Sequence, residues 1–154
     1  MLERLIRAAL ELCEGFTGQL PLETTCEEVL GISPGWQPLA TRPIQAIVAV
    51  AGIPAEGARI SLAAEAYAIE LDSDGGARIR VIGPGPNTAR LGRIAVRFVA
   101  GLAPSWNALP ESLRHGVIRL AAHQHRARES NAADPIPPAA VTALWRPWRR
   151  MRLA

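Results

Sequence analysis

Hydrophobic residues near the start of the chain recur with the spacing of one face of an α-helix. From Leu2 to Phe16 they fall at intervals of three and four residues, while charged residues occupy the opposite face. Gly18 follows at a position where glycine commonly ends a helix, because glycine adopts the left-handed conformation at little cost. The pattern therefore predicts a helix over residues 2–16, with Cys13 as a small hydrophobic residue on its apolar face.

The middle of the chain changes to the short apolar and alternating runs of β-strands. Four such runs span residues 44–50, 67–72, 77–82 and 93–99. The Ser-Asp-Gly-Gly sequence at 73–76 is typical of a hairpin turn between two of them, and Gly-Pro-Gly-Pro-Asn at 83–87 predicts the next turn. We therefore expect an antiparallel sheet from about residue 43 to about residue 99.

Helical spacing returns at Pro110, which suits a first helical turn because that position needs no backbone N–H. An apolar stripe then predicts a helix over residues 110–129, followed by a Pro-rich linker at 130–138. Residues 139–154 have the pattern of an amphipathic helix that Pro147 should kink or divide.

These elements predict an α+β fold. The N-terminal helix and the long helix near residues 110–129 lie on either side of the antiparallel sheet in the sequence, and a C-terminal helical tail follows. Residues 1–138 are expected to be one domain, and residues 139–154 a separate tail.

Charge is distributed unevenly along the 154 residues. All 17 basic residues are arginine. Residues 1–30 contain two arginines and six glutamates, a net charge of −4, whereas residues 112–154 contain eight arginines and two carboxylates, a net charge of +6. Such asymmetry can orient a protein against a charged partner. One hypothesis is that the acidic start of one copy meets an Arg-rich surface on its neighbour.

No motif in the sequence indicates catalysis, a cofactor or a metal. His123 and His125 are two residues apart and would point in different directions on a helix, and no ligand stands at a suitable spacing from them or from His115. The Gly-Pro-Gly-Pro sequence lacks the ending of a phosphate-binding loop. Cys13 and Cys26 do not form a disulfide framework. We expect a protein that is not an enzyme, with no catalytic residue, cofactor or metal.

Nothing in the sequence indicates export or membrane insertion. Charged residues interrupt the first apolar stretch, so it is not a signal peptide. The longest apolar run, around residues 44–53, is too short to span a bilayer. We expect assembly in the cytoplasm, with free thiols.

The segment 143–154 combines tryptophan and arginine and admits three interpretations. Its apolar side could pack on the protein's own core. It could bind another protein, because Trp and Arg are enriched at interface hot spots. It could also bind nucleic acid, with Arg at phosphates and Trp stacked on bases. For the second interpretation the candidate residues are Leu144, Trp145, Arg146, Trp148, Arg149, Arg150, Met151 and Arg152.

The order of elements resembles the phage head–tail connector (adaptor) family, which also occurs in gene transfer agents. The resemblance covers nearly the whole chain, from Phe-Thr-Gly-Gln at 16–19 to the closing pattern at 136–153. It is most telling at the Val99–Gly101 step, at the Leu109-Pro110 entry into the long helix, and in Pro147-Trp148-Arg149. Family members often carry Tyr where this chain has Trp148.

The resemblance implies a structural role in a particle. Members have a helical core with an antiparallel β insertion, and they form a ring, usually a dodecamer, under the portal of a DNA-filled capsid. Their C-terminal segment reaches the portal, a stopper or tail-completion protein binds the opposite side, and DNA passes through the lumen without being read in sequence. The location implied is the neck of a phage or gene transfer agent particle. A small basic DNA-binding protein is the alternative, supported by the isoelectric point near 9.6.

Overall fold

The computed structural model describes residues 1–82, 90–129 and 137–150. The chain divides into two compact units. Met1–Glu23 and Leu102–Ala154 form the first, called here the helical unit, and Thr24–Gly101 form the second, the sheet unit. The predicted α+β fold, with helices before and after an antiparallel β insertion, is confirmed. The domain boundary at residue 138 stays a prediction. Residues from Ala139 onward belong to the helical unit.

Helix α1 (Leu2–Thr17) begins the helical unit. Leu5, Ala9 and Cys13 are buried along one face, as the apolar stripe predicts. Gly18 ends the helix in the left-handed conformation, with φ 70°, and its N–H donates to the Glu14 carbonyl at 2.8 Å. The expected helix and its end are therefore confirmed.

Helix α2 (Glu111–Glu129) and helix α3 (Ala139–Trp145) complete the helical unit. The apolar face of α2 is buried through Leu113, Val117 and Leu120 and packs with α1 and α3. A single 3₁₀ turn, Arg146–Trp148, follows α3 and contains Pro147. Proline lacks the N–H and collides with the preceding turn of an α-helix, which explains why α3 ends there, as predicted. Another 3₁₀ turn spans Trp106–Ala108.

The sheet unit contains two antiparallel sheets. Its strands are β1 (Thr24–Gly31), β2 (Gln37–Pro38), β3 (Ile44–Pro54), β4 (Ile60–Ser61), β5 (Tyr67–Leu71), β6 (Ala77–Val81) and β7 (Leu91–Ala100), with a 3₁₀ turn at Ala64–Ala66. One sheet has the order β1-β7-β3-β4, and the other has the order β2-β6-β5. Strand β7 lies inside the larger sheet and buries Ile94, Val96 and Phe98 completely.

The hairpin expected at residues 73–76 joins β5 to β6. The Asp72 N–H donates to the Gly76 carbonyl at 2.8 Å, and the Gly75 N–H donates to the Asp72 carbonyl at 3.0 Å. Gly75 has a φ of 81°, and a Cβ there would come within 2.6 Å of the Pro43 side chain. Both the backbone conformation and the close approach therefore require glycine.

The sheet region differs from the expectation in two respects. It forms two sheets rather than one, and it begins at Thr24 rather than near residue 43. None of the residues of β1 is buried, so this edge strand lacks the hydrophobic alternation that identifies a strand in a sequence. Backbone pairing with β7 over eight residues holds it instead. The turn expected at 83–87 lies outside the described residues.

Candidate partner-binding site

The C-terminal segment, defined here as residues 139–150, is the described part of the predicted tail. Its centre is Trp145, whose side chain is 0% exposed. The indole Nε1 donates to the Leu113 carbonyl of α2 at 3.3 Å, and the ring lies 6.0 Å from that of Phe16 at an angle of 49°. The structure therefore places Trp145 in the core of the helical unit, where it is not available to touch a partner.

Gly116 of α2 provides the space for this indole. A Cβ at Gly116 would lie 2.8 Å from Cδ1 and 2.9 Å from Cε2 of Trp145. Glycine inside a helix costs about 1 kcal/mol relative to alanine, and here the close approach of the indole accounts for it. Gly116 was not among the residues predicted for the site. A glycine inside a strongly helical pattern is the sequence signal that could have found it.

Hydrogen bonds then fix the backbone that follows α3. The Trp148 carbonyl accepts from Nε2 of Gln19 at 2.6 Å, and the Arg150 N–H donates to the Thr17 carbonyl at 3.0 Å. Trp148 is half-buried, and its Nε1 donates to Oγ of Ser112 at 2.8 Å. The segment is held against the ends of both long helices.

Arginines occupy the outward side of this fixed segment. Arg146 and Arg149 are exposed, whereas Arg150 and Leu144 are half-buried. The Arg149 guanidinium lies 5.5 Å from the centre of the Phe16 ring, which is a cation–π distance. Within the ranges that the structure describes, neither Arg146 nor Arg149 forms an ion pair with a carboxylate. These cations therefore remain available to an anionic surface. Met151 and Arg152 lie outside the described residues.

The structure has no cluster of three or more His, Cys, Asp or Glu side chains that could hold a metal ion in residues 1–82, 90–129 and 137–150. Burial, and to a smaller extent the charge of Glu14, raises the pKa of the Cys13 thiol to about 12, so this thiol stays protonated at neutral pH. None of the described helices is long and apolar enough to cross a membrane.

Comparison with known proteins shows in which kind of particle similar chains occur. No protein-family model and no curated protein sequence matches the chain. Solved structures do match, each over 99% of this chain. A chain in the neck of a native gene transfer agent particle, computed with C12 symmetry, is 27% identical, with a TM-score of 0.77 and 84% of that chain covered. A chain in the neck of an empty particle, computed with C6 symmetry, is 26% identical, with a TM-score of 0.76 and 78% covered.

A chain in the virion of a native gene transfer agent particle is 28% identical, again with a TM-score of 0.76 and 78% of that chain covered. The chain is a structural neck protein. The resemblance to the head–tail connectors of gene transfer agents is thereby confirmed, as is the expected location in the particle neck. The neck protein is not an enzyme, because the chains that it matches are structural components of the particle. The rotational symmetry of the matched necks supports an oligomeric ring.

Proposed function

We propose that the neck protein is a head–tail adaptor that forms a ring between the portal and the stopper or tail-completion protein, through which DNA passes without sequence readout. The match over 99% of the chain to neck structures computed with C6 and C12 symmetry is the observation that carries this proposal. Head-to-tail contacts that close by rotation generate such a ring, and a dodecamer agrees with the C12 computation.

In this proposal the tail, residues 139–154, anchors each subunit to the portal. Arg146 and Arg149 point outward from a backbone already held by Gln19 and Thr17. A segment that is ordered before binding loses less conformational entropy when it docks. Together with the half-buried side chains and the last residues of the tail, these arginines form the contact surface: Leu144, Arg146, Trp148, Arg149, Arg150, Met151 and Arg152. Trp145 acts by holding the segment in place.

The packing of the aromatic residues argues against the alternative of a DNA-binding tail. Stacking on bases requires the face of an indole ring to be open. Trp145 is fully buried, and Trp148 is half-buried with its N–H bonded to Ser112. The exposed charged groups of the segment are the guanidinium groups of Arg146 and Arg149, which suit an acidic protein surface.

Reversing the exposed charges of the segment tests the anchor. We expect the double variant Arg146→Glu and Arg149→Glu to fold like the parent, since both side chains are exposed. It should bind portal-bearing particles that lack the neck protein at least about tenfold more weakly, which corresponds to about 1.4 kcal/mol. Co-sedimentation with those particles measures the binding.

A matched control reverses two other exposed arginines of the helical unit, Arg4→Glu and Arg128→Glu. This variant carries the same change in net charge and should bind the particles like the parent. Equal binding by the Arg146→Glu and Arg149→Glu variant and the parent would contradict the anchor. A loss of the same size in the control would show that net charge, rather than this surface, determines binding.

A further inference from the structure

A groove of about 350 Å³ runs along α2 beside the first turn of α3, on the side of α2 that faces away from its buried stripe. Its lining combines apolar side chains with cationic or titratable ones. The α2 residues that line it are His115, Ile118, Arg119, Ala122, His123 and Arg126. Ile118 is 50% exposed, so the groove presents a large apolar side chain as well as positive charge.

Among the described residues, Arg119 has no carboxylate partner and one nitrogen atom of His123 has no hydrogen-bond partner. Arg119 donates from Nε to Nε2 of His115 at 3.2 Å, and it pairs with no carboxylate in the described ranges. The Nε2 atom of His123 is buried without a hydrogen-bond partner among those same residues. Buried polar atoms in proteins are normally hydrogen-bonded. The groove is thus incomplete in the single chain and suited to a carboxylate that arrives with an apolar group.

The outward face of α1 offers that combination. Glu11 is exposed and forms no ion pair among the described residues, in contrast to Glu3, which pairs with Arg7 at 3.2 Å. The next residue, Leu12, is 38% exposed. Glu11 and Leu12 therefore present a carboxylate beside an apolar side chain, matching Arg119 beside Ile118. Residues 1–30 are also acidic overall, whereas residues 112–154 are basic.

We propose that the groove receives Glu11 and Leu12 of α1 from a second copy of this chain, with Glu11 bound by Arg119 and Leu12 packed on Ile118. The two surfaces are different patches on the outward faces of two helices. One contact therefore leaves a groove open on one copy and an α1 open on the other. Such heterologous contacts close into a ring when the rotation between copies allows it. The contact is the interface between neighbouring subunits of the ring, and it therefore rests on the proposed function.

A second copy suits the groove better than DNA does. The apolar part of the lining contributes nothing to a phosphate backbone, which binds cations on an open surface. A concave site with an exposed isoleucine between cationic groups is complementary to an amphipathic protein segment instead. Binding of nucleic acid in the groove is the alternative outcome of the test described below.

Charge reversal at both proposed partners tests the contact. The variants are Glu11→Arg and Arg119→Glu, each made in the full chain, and both positions are exposed, so melting temperatures should match the parent. Alone, each variant places like charges opposite each other in every contact. Mixed in equal amounts, the two variants alternate, because Arg at position 11 meets Glu at position 119 and the other contact of each copy is unchanged. Arg128→Glu, on the same helix but outside the groove, is the matched control.

Self-association is measured by sedimentation velocity with the free chain at concentrations up to about 1 mM, the range of weak contacts. Ring assembly is measured separately on portal-bearing particles that lack the chain. We expect each single reversal to weaken both by about tenfold or more. The equal mixture should return to within about threefold of the parent, and Arg128→Glu should behave like the parent. Single reversals that associate and assemble like the parent, or a mixture as weak as its components, would overturn the contact.

The two measurements separate this inference from the proposed function. Suppose that the single reversals weaken self-association of the free chain, and their mixture restores it, while neither the parent nor any variant binds the particles. In that case the subunit contact stands and the adaptor role fails. If rings assemble on particles regardless of either reversal, the adaptor role stands and the contact fails. A titration with a double-stranded DNA oligonucleotide completes the test. Loss of salt-dependent DNA binding in Arg119→Glu, with unchanged self-association, would overturn the contact in favour of a nucleic-acid surface.

Discussion

Replacing Gly116 with alanine should destabilise the helical unit, although alanine is the better helix former. In an open helix the exchange gains about 1 kcal/mol. At Gly116, however, the new Cβ would lie 2.8 Å from Cδ1 and 2.9 Å from Cε2 of Trp145, closer than such atoms pack. The indole is fully buried and hydrogen-bonded to Leu113, so it has little freedom to move aside.

The magnitude follows from the competing terms. Forcing an extra methyl group into a packed core costs about 1–3 kcal/mol, and loss of the Trp145–Leu113 hydrogen bond adds about 1 kcal/mol. When the gain of about 1 kcal/mol in helix propensity is subtracted from these costs, the free energy of unfolding should fall by about 1–3 kcal/mol. The midpoint of thermal unfolding should fall by roughly 2–4 °C for each kcal/mol in a chain of this size.

Gly15 of α1 provides a matched control for the same substitution. Among the described residues, no atom beyond the neighbouring residues and nearby backbone of α1 lies within 4 Å of a Cβ at this position, so Gly15→Ala should stabilise the chain by up to about 1 kcal/mol. Combining Gly116→Ala with Trp145→Leu should also remove the overlap, making alanine favourable in that background. Urea unfolding followed by circular dichroism measures each variant. A stabilising effect of Gly116→Ala in the parent sequence would refute the close packing of α3 on α2.

Four further predictions concern the two tryptophans, the reactivity of Cys13, stability at alkaline pH and the assembly of the chain. Trp145→Ala should reduce the free energy of unfolding by about 3–5 kcal/mol, and Trp148→Ala, which is half-buried, should reduce it by less. Equal losses in urea unfolding would contradict the assignment of Trp145 to the core. The Cys13 thiol should resist a thiol reagent at pH 8 in the folded chain, because burial raises its pKa from 9.0 to about 12. Rapid modification of Cys13 without unfolding would argue against that burial. The folded state holds this proton more tightly than the unfolded state. The buried, protonated thiol therefore contributes fully to the free energy of unfolding below pH 9. This contribution falls by about 1.4 kcal/mol per pH unit between pH 9 and 12. Urea unfolding of the parent and of Cys13→Ala at several alkaline pH values measures the loss. Finally, the isolated chain should be monomeric or weakly associated and should form rings mainly on the portal, since a partner ring holds neighbours at high effective concentration; identical sedimentation with and without portal would count against this.

Periodicity predicted the elements whose side chains are buried in a regular pattern. The apolar stripes of α1 and α2 follow the 3.6-residue period because one face of each helix meets the core. Strand β6 alternates because Ile79 and Val81 are buried, whereas Arg78 and Arg80 are exposed. Strand β1 left no such pattern, because its backbone rather than its side chains joins it to β7. Local patterns also do not specify pairing between distant strands, so the division into two sheets was not predicted.

The C-terminal segment could be recognised from its composition but not resolved into its parts. Its Trp and Arg residues indicated either a core helix or a binding surface, and the structure divides them between the two. Trp145 and the apolar side belong to the core, whereas Arg146 and Arg149 are exposed. The division depends on where the indole finds space, and Gly116 provides that space from a position 29 residues earlier in the chain. A contact over that separation leaves no local signal at the tryptophan.

Electron cryomicroscopy of particles that contain this chain tests the adaptor role most directly. We expect a ring of this fold in the neck, with C12 symmetry, between the portal and the tail-side protein. In that ring the C-terminal segment should contact the portal through Arg146 and Arg149. Density for the chain along the packaged DNA or inside the capsid, with another protein beneath the portal, would contradict it.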